Sequence, residues 1–93
     1  MKKLDLYFFP QCPYCQIVMS ALRVTGLENQ VTLHDIQDDH TEREFLVKAT
    51  GRATVPCLFI DGKPMHESKD IADWLHKYAK ELQQTPGELS GNT

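Results

Sequence analysis

Two cysteines stand two residues apart in FFPQCPYCQIVMSALRV, residues 8 to 24, where an aromatic run gives way to helical spacing. A pair at that spacing can be a disulfide staple, half of a metal clamp or a reactive dithiol. The chain has 3 cysteines, an odd count that forbids complete internal pairing and weakens the reading of a secreted disulfide framework. A zinc site needs two further ligands at metal spacing, and Cys57 and the 4 scattered histidines supply no second paired motif. Dithiol chemistry is the foremost reading.

That chemistry depends on where the backbone puts each sulfur. Leu4 to Phe9 is short, aromatic and aliphatic, and ends at Pro10, as a strand buried on both faces would. From Pro13 to Val24, Ile17, Val18, Ala21, Leu22 and then Thr25 recur at helical spacing, and Gly26 suits a left-handed cap. Cys12 then falls at the helix N-cap, Pro13 at the first helical position and Cys15 in the first turn. Helix N-terminal amides favour an anion at Cys12, and cysteines in CxxC settings have pKa values lowered from about 8.5 to about 3.5 to 7.5. Cys12 is the candidate nucleophile. Cys15, one turn further in, is placed to resolve a mixed disulfide formed on Cys12.

The remaining elements follow in order. Val31 to Ile36 alternates as a strand, and Thr41 with Glu44 forms a capping box for a helix running to Thr50 and stopped by Gly51. Thr54, Val55 and Pro56 precede a hairpin of Cys57 to Ile60 and Lys63 to His66, turned at Asp61 and Gly62. Pro56 either simply opens a strand or marks a cis bond that turns the Val55 backbone outward toward an extended ligand. Ser68 is the expected N-cap of a last helix whose apolar face is Ile71, Ala72, Leu75, Tyr78, Ala79 and Leu82, with Trp74 in the core. Cys57 shares a strand face with Phe59 and reads as a packed small hydrophobe. The order β-α-β-α-β-β-α predicts an α/β domain over 1–83 with four strands and three helices, and a flexible polar tail over 84–93.

Composition narrows the function classes. The 93 residues are 41% hydrophobic and 25% charged with a net charge of -3, ordinary for one soluble globular domain. No basic patch argues for nucleic acid or an anionic membrane. Asp5 and Pro10 interrupt the N-terminal apolar run too early for a signal peptide, so a cytoplasmic protein is expected.

CPYC at a strand-to-helix turn, TVP before the third strand, and a closing hairpin and helix resemble the dithiol glutaredoxins, small proteins of thioredoxin-like fold with a four-stranded mixed sheet. The resemblance covers about residues 3–82 and implies a glutathione-dependent thiol-disulfide oxidoreductase. In that scheme Cys12 attacks a glutathionylated protein or a disulfide, and glutathione or Cys15 releases the product. It further implies that Val55 beside cis-Pro56 pairs with the cysteinyl part of glutathione, that Thr54 holds that loop, and that Tyr14 borders the groove. Many glutaredoxins carry a double glycine before the last helix, whereas this chain reads DGKPMHESKDI. Glu67 and Ser68 instead look like the Glu-Ser pair of glutathione transferase N-terminal domains, where the serine binds the γ-glutamyl carboxylate. The helical second domain of those transferases is not expected here. Phe9, Pro10 and Gln11 stand where many family members have a lysine, which leaves Arg52 as the candidate cation. Glutathione is thus the implied co-substrate, with no resident metal, and the protein is expected to be a monomer. The alternative is a glutathione-ligated [2Fe-2S] carrier, which the proline of CPYC disfavours.

Overall fold

Side chains in Leu4–Phe8 (β1) alternate between the two faces of a sheet, and each face receives a different cover. The computed structural model describes residues 2–83, so the expected flexible tail over 84–93 lies outside the described residues. After β1 come α1 (Pro13–Thr25), a single 3-10 turn at Glu28–Gln30, β2 (Val31–Asp35), α2 (His40–Thr50), β3 (Cys57–Ile60), β4 (Lys63–Met65) and α3 (Ser68–Gln83). The strand order is β2-β1-β3-β4, with β1 parallel to β2 and antiparallel to β3, and β3 antiparallel to β4. This is the expected four-stranded mixed sheet with three helices.

Register divides the core. Leu6 pairs with Leu33 and Leu58, while Tyr7 pairs with His34 and Cys57. Leu4, Leu6 and Leu58 pack with Val18, Leu22, Ile71 and Leu75, so α1 and α3 cover one face. Tyr7, Ile36, Leu46, Cys57 and Phe59 form a second cluster, under α2. Each fully buried Leu or Ile contributes about 2 kcal/mol relative to exposure, so most of the apolar stabilisation lies on the α1/α3 face. Cys57 is completely buried among aromatic and aliphatic neighbours, as its strand position predicts.

Several local expectations are corrected. The N-cap of α2 is Asp39, not Thr41: its carboxylate accepts the Thr41 N–H at 2.9 Å and the Thr41 hydroxyl at 2.6 Å. A charged acceptor suits the positive helix end better than a hydroxyl, so the helix starts earlier than the capping-box pattern implies. Ile17 is 47% exposed, because the face of α1 that packs inward is Cys15, Val18, Ala21 and Leu22. Trp74 is partly buried at the core margin, stacked on Tyr78 with ring centroids 4.8 Å apart. Gly26 caps α1 in the left-handed region at φ 74, and Asp61 and Gly62 turn the hairpin at φ 51 and 88. None of the helices among the described residues is long and apolar enough to cross a membrane.

Candidate functional site

Cys12 occupies the N-cap of α1 with extended backbone (φ -73, ψ 118), and Pro13 takes the first turn, where its missing N–H leaves no hydrogen bond unmade. The Cys12 Sγ accepts the Cys15 N–H at 3.3 Å, so the sulfur itself is the capping atom. The approach to this turn is strapped down: Cys12 N–H donates to Phe9 O at 3.1 Å, and the Gln16 side-chain amide donates to Pro10 O at 2.7 Å.

The two sulfurs differ as the helix start dictates. Cys12 is 4% exposed and Cys15 is fully buried. Burial, with the thiol of Cys15 donating to Cys12, pushes the Cys15 pKa up to about 12. Burial likewise pushes Cys57 to about 11, against a smaller opposing pull from the Arg52 guanidinium. Both thiols are therefore neutral at physiological pH. Their raised values stabilise the folded state below the ordinary thiol range, and this contribution is lost as pH climbs from about 9 toward 11 to 12. In native reduced protein at neutral pH, iodoacetamide is expected to leave Cys15 and Cys57 unmodified until denaturant is added. Peptide mass mapping checks this, and labelling of either at the rate of a free thiol contradicts it.

Beside this turn lies a cleft of about 350 Å³ whose walls come from three separate segments. Tyr14, 64% exposed between the cysteines, supplies one side. Arg52, Thr54, Val55 and Pro56 supply another, with the Val55–Pro56 peptide bond cis. His66, Glu67 and Ser68 close the third. All six non-cysteine site residues expected from the sequence thus line one cleft, joined by Arg52, while Cys12 and Cys15 sit outside its lining.

Ser68 departs from its expected place. The Ile71 N–H donates to Glu67 O at 3.0 Å, which puts Glu67, at φ 71, in the capping position and Ser68 at the first helical residue. There the Ser68 amide is one of the N–H groups that a helix start leaves unpaired, and it borders the cleft. His66 is a cleft residue the motif reading missed. It lies one step beyond the Leu58–Met65 pair, with Nε2 4.0 Å from the Cys57 sulfur and a buried Nδ1 that has no hydrogen-bond partner. Burial and the Arg52 guanidinium hold its pKa below the usual imidazole value, partly offset by Glu67.

A helix capped by the first sulfur of a CxxC pair, on this sheet and next to a cleft walled by a cis-proline loop, defines a dithiol protein of the thioredoxin fold. Residues 6–83 match the family model for the glutathione S-transferase N-terminal domain, and the chain belongs to that family, with glutaredoxins among its relatives. Glutathione S-transferase D7 of Drosophila melanogaster is 34% identical over 82 residues, covering 86% of this chain and 36% of that protein. Glutaredoxin 3 of Escherichia coli is 31% identical over 71 residues, covering 76% of this chain and 83% of that one. The chain therefore spans about a third of the transferase and most of the glutaredoxin. Oxidized glutaredoxin 2 from Chlamydomonas reinhardtii shares the fold, with a TM-score of 0.65, 24% identity and coverage of 92% of this chain and 83% of that one.

Proposed function

We propose that the protein is a glutathione-dependent thiol-disulfide oxidoreductase that reduces protein-glutathione mixed disulfides. The observation that carries this reading is the capping of α1 by the Cys12 sulfur, with the Cys15 thiol directly behind it. Its glutaredoxin and transferase relatives support glutathione as the small-molecule thiol.

In the first step the Cys12 thiolate attacks the glutathione sulfur of the mixed disulfide. The substrate thiolate leaves and takes a proton, and glutathione is joined to Cys12. A second glutathione thiolate then attacks that glutathione sulfur, returning Cys12 as thiolate and releasing oxidised glutathione. Alternatively the Cys15 thiol, after losing its proton, attacks Cys12, releasing reduced glutathione and leaving a Cys12–Cys15 disulfide. Glutathione lies along the cleft: the Val55 backbone pairs with its cysteinyl part, Ser68 at the start of α3 takes the γ-glutamyl carboxylate, and Arg52 faces the glycyl end. The protein acts as a monomer in the cytoplasm.

The test is turnover of a glutathionylated peptide by the purified protein with reduced glutathione, coupled to glutathione reductase and NADPH oxidation. Catalysed NADPH loss above the uncatalysed exchange rate is expected. A folded, fully reduced protein that gives no such rate sinks the reading.

A further inference from the structure

His34 projects from β2 between two carboxylates, on the sheet face covered by α2. Its Nε2 lies 2.9 Å from Asp5 Oδ1 on β1, and its Nδ1 lies 2.6 Å from Glu42 Oε2 in the first turn of α2. An ionised carboxylate only accepts, and a neutral imidazole has one N–H, so both bonds to ionised partners exist together only with the imidazolium. The Tyr7 ring stacks on the imidazole at 4.4 Å and 8°, and Phe45 of α2 stacks on Tyr7 at 5.6 Å. The side chains of His34, Asp5 and Glu42 are only 16%, 18% and 29% exposed, so water and salt screen the array weakly.

The charges around the ring favour the proton. Asp5 faces it from β1 and Glu42 from α2, while Lys3 lines the same shallow cleft. The Tyr7 phenol stays neutral, pushed up to about 12 by burial and by the Glu42 and Asp5 carboxylates. Burial by itself lowers the His34 pKa, but the hydrogen bonds to Asp5 and Glu42 outweigh it and hold the group above its ordinary value.

Apart from the array, α2 is held by Leu46 and by Phe45 against Tyr7 and Phe59. Leu46 is its buried residue and the rest of the helix is half-buried or exposed. Its far end runs straight into the cleft wall: the Thr50 hydroxyl is 2.8 Å from both Leu46 O and Arg52 O, and accepts the Arg52 N–H at 3.3 Å. We propose that the Asp5–His34–Glu42 array is a protonation-dependent clamp that seats α2, and with it the Arg52 to Val55 wall of the cleft. His34 is then a positioning residue for the ligand of that cleft, acting through α2. Only the consequence for ligand binding rests on the glutathione reading above. A group held above its ordinary pKa stabilises the fold below that ordinary value, and the contribution disappears as pH rises through the folded-state pKa.

The experiment combines an NMR titration of the His34 ring with amide exchange, expressed as protection factors to remove the intrinsic pH effect. Between about pH 6 and about pH 9, wild-type protection over residues 44–55 is expected to fall roughly tenfold relative to β1 and α3, as for a lost charge-assisted hydrogen bond. Glu42→Gln is expected to show the lowered protection already at about pH 6, with little further change. His34→Phe keeps the stack on Tyr7 and removes both bonds, and should behave the same way. If it fails to fold, the wild-type titration and Glu42→Gln decide. A His34 ring already neutral at about pH 6, or protection of α2 indifferent to pH and to Glu42→Gln, overturns the clamp. Glutathione titrations run alongside separate the two ideas: wild type that binds none at either pH contradicts the functional reading, while exchange still decides the clamp.

Discussion

Cys12→Ser is expected to lower turnover of a glutathionylated peptide on the order of a thousandfold or more, with the fold intact. A serine hydroxyl at neutral pH is not ionised and is a poor nucleophile toward a disulfide sulfur, so the first step is lost rather than slowed. The substitution is also a clean one. Serine is among the preferred N-cap residues, so the hydrogen bond that the Cys12 sulfur makes with the Cys15 N–H has a ready replacement. Unchanged circular dichroism and urea midpoint, beside the loss of coupled NADPH oxidation, would separate chemistry from stability. Cys15→Ser is expected to differ in kind: it keeps the attack on substrate and the release by a second glutathione, and accumulates the glutathionylated protein seen by intact mass. Retention of rate by Cys12→Ser would assign the nucleophile elsewhere.

Ile71→Ala is expected to destabilise the protein by about 3 kcal/mol, in the range for emptying a fully buried aliphatic site. Ile71 is completely buried, and its N–H makes the first backbone bond of α3, to Glu67 O. It therefore anchors the helix start that brings Glu67 and Ser68 to the cleft. For a domain this small, 3 kcal/mol corresponds to a fall in Tm of about 12 to 24 °C. Differential scanning calorimetry measures it directly. A shift of only a few degrees would mean that the core collapses around the missing side chain, and that the α1/α3 face is less tightly packed than its burial implies.

The parts of the fold that sequence made legible are those set by neighbours in the chain. Pro13 after Cys12, Gly26 and Gly51 after their helices, and Asp61-Gly62 between two short apolar runs each carry their own backbone preference, and each acts where expected. The CPYC and TVP stretches were recognisable instead through their resemblance to the glutaredoxins, since Pro56 by itself left a cis bond and a plain strand start both open. Tyr14 of the first stretch and Thr54, Val55 and Pro56 of the second line one cleft. Cap assignment was harder because Asp39 and Thr41 are both competent cap residues, as is Ser68, whereas Glu67 is not a preferred one and takes its place through its backbone carbonyl; only the tertiary placement of each helix chooses among them. The Asp5–His34–Glu42 array was invisible in principle. It joins residues on three elements, brought together by the β1–β2 register and by where α2 lands. His66 escaped similarly, since its neighbour Cys57 is set by the β3–β4 pairing.

The cap on α1 ties helix stability to electron bookkeeping. In the proposed cycle Cys12 passes between thiolate and disulfide, and a sulfur bonded to another sulfur is the weaker hydrogen-bond acceptor, so its disulfide state would partly uncap the helix that the free sulfur caps. Complete loss of a cap costs about 1 kcal/mol, so for a two-electron couple the displacement is at most roughly 20 mV. Such a displacement would favour the reduced form and make the proposed couple slightly more oxidising than the same dithiol in an unstructured peptide.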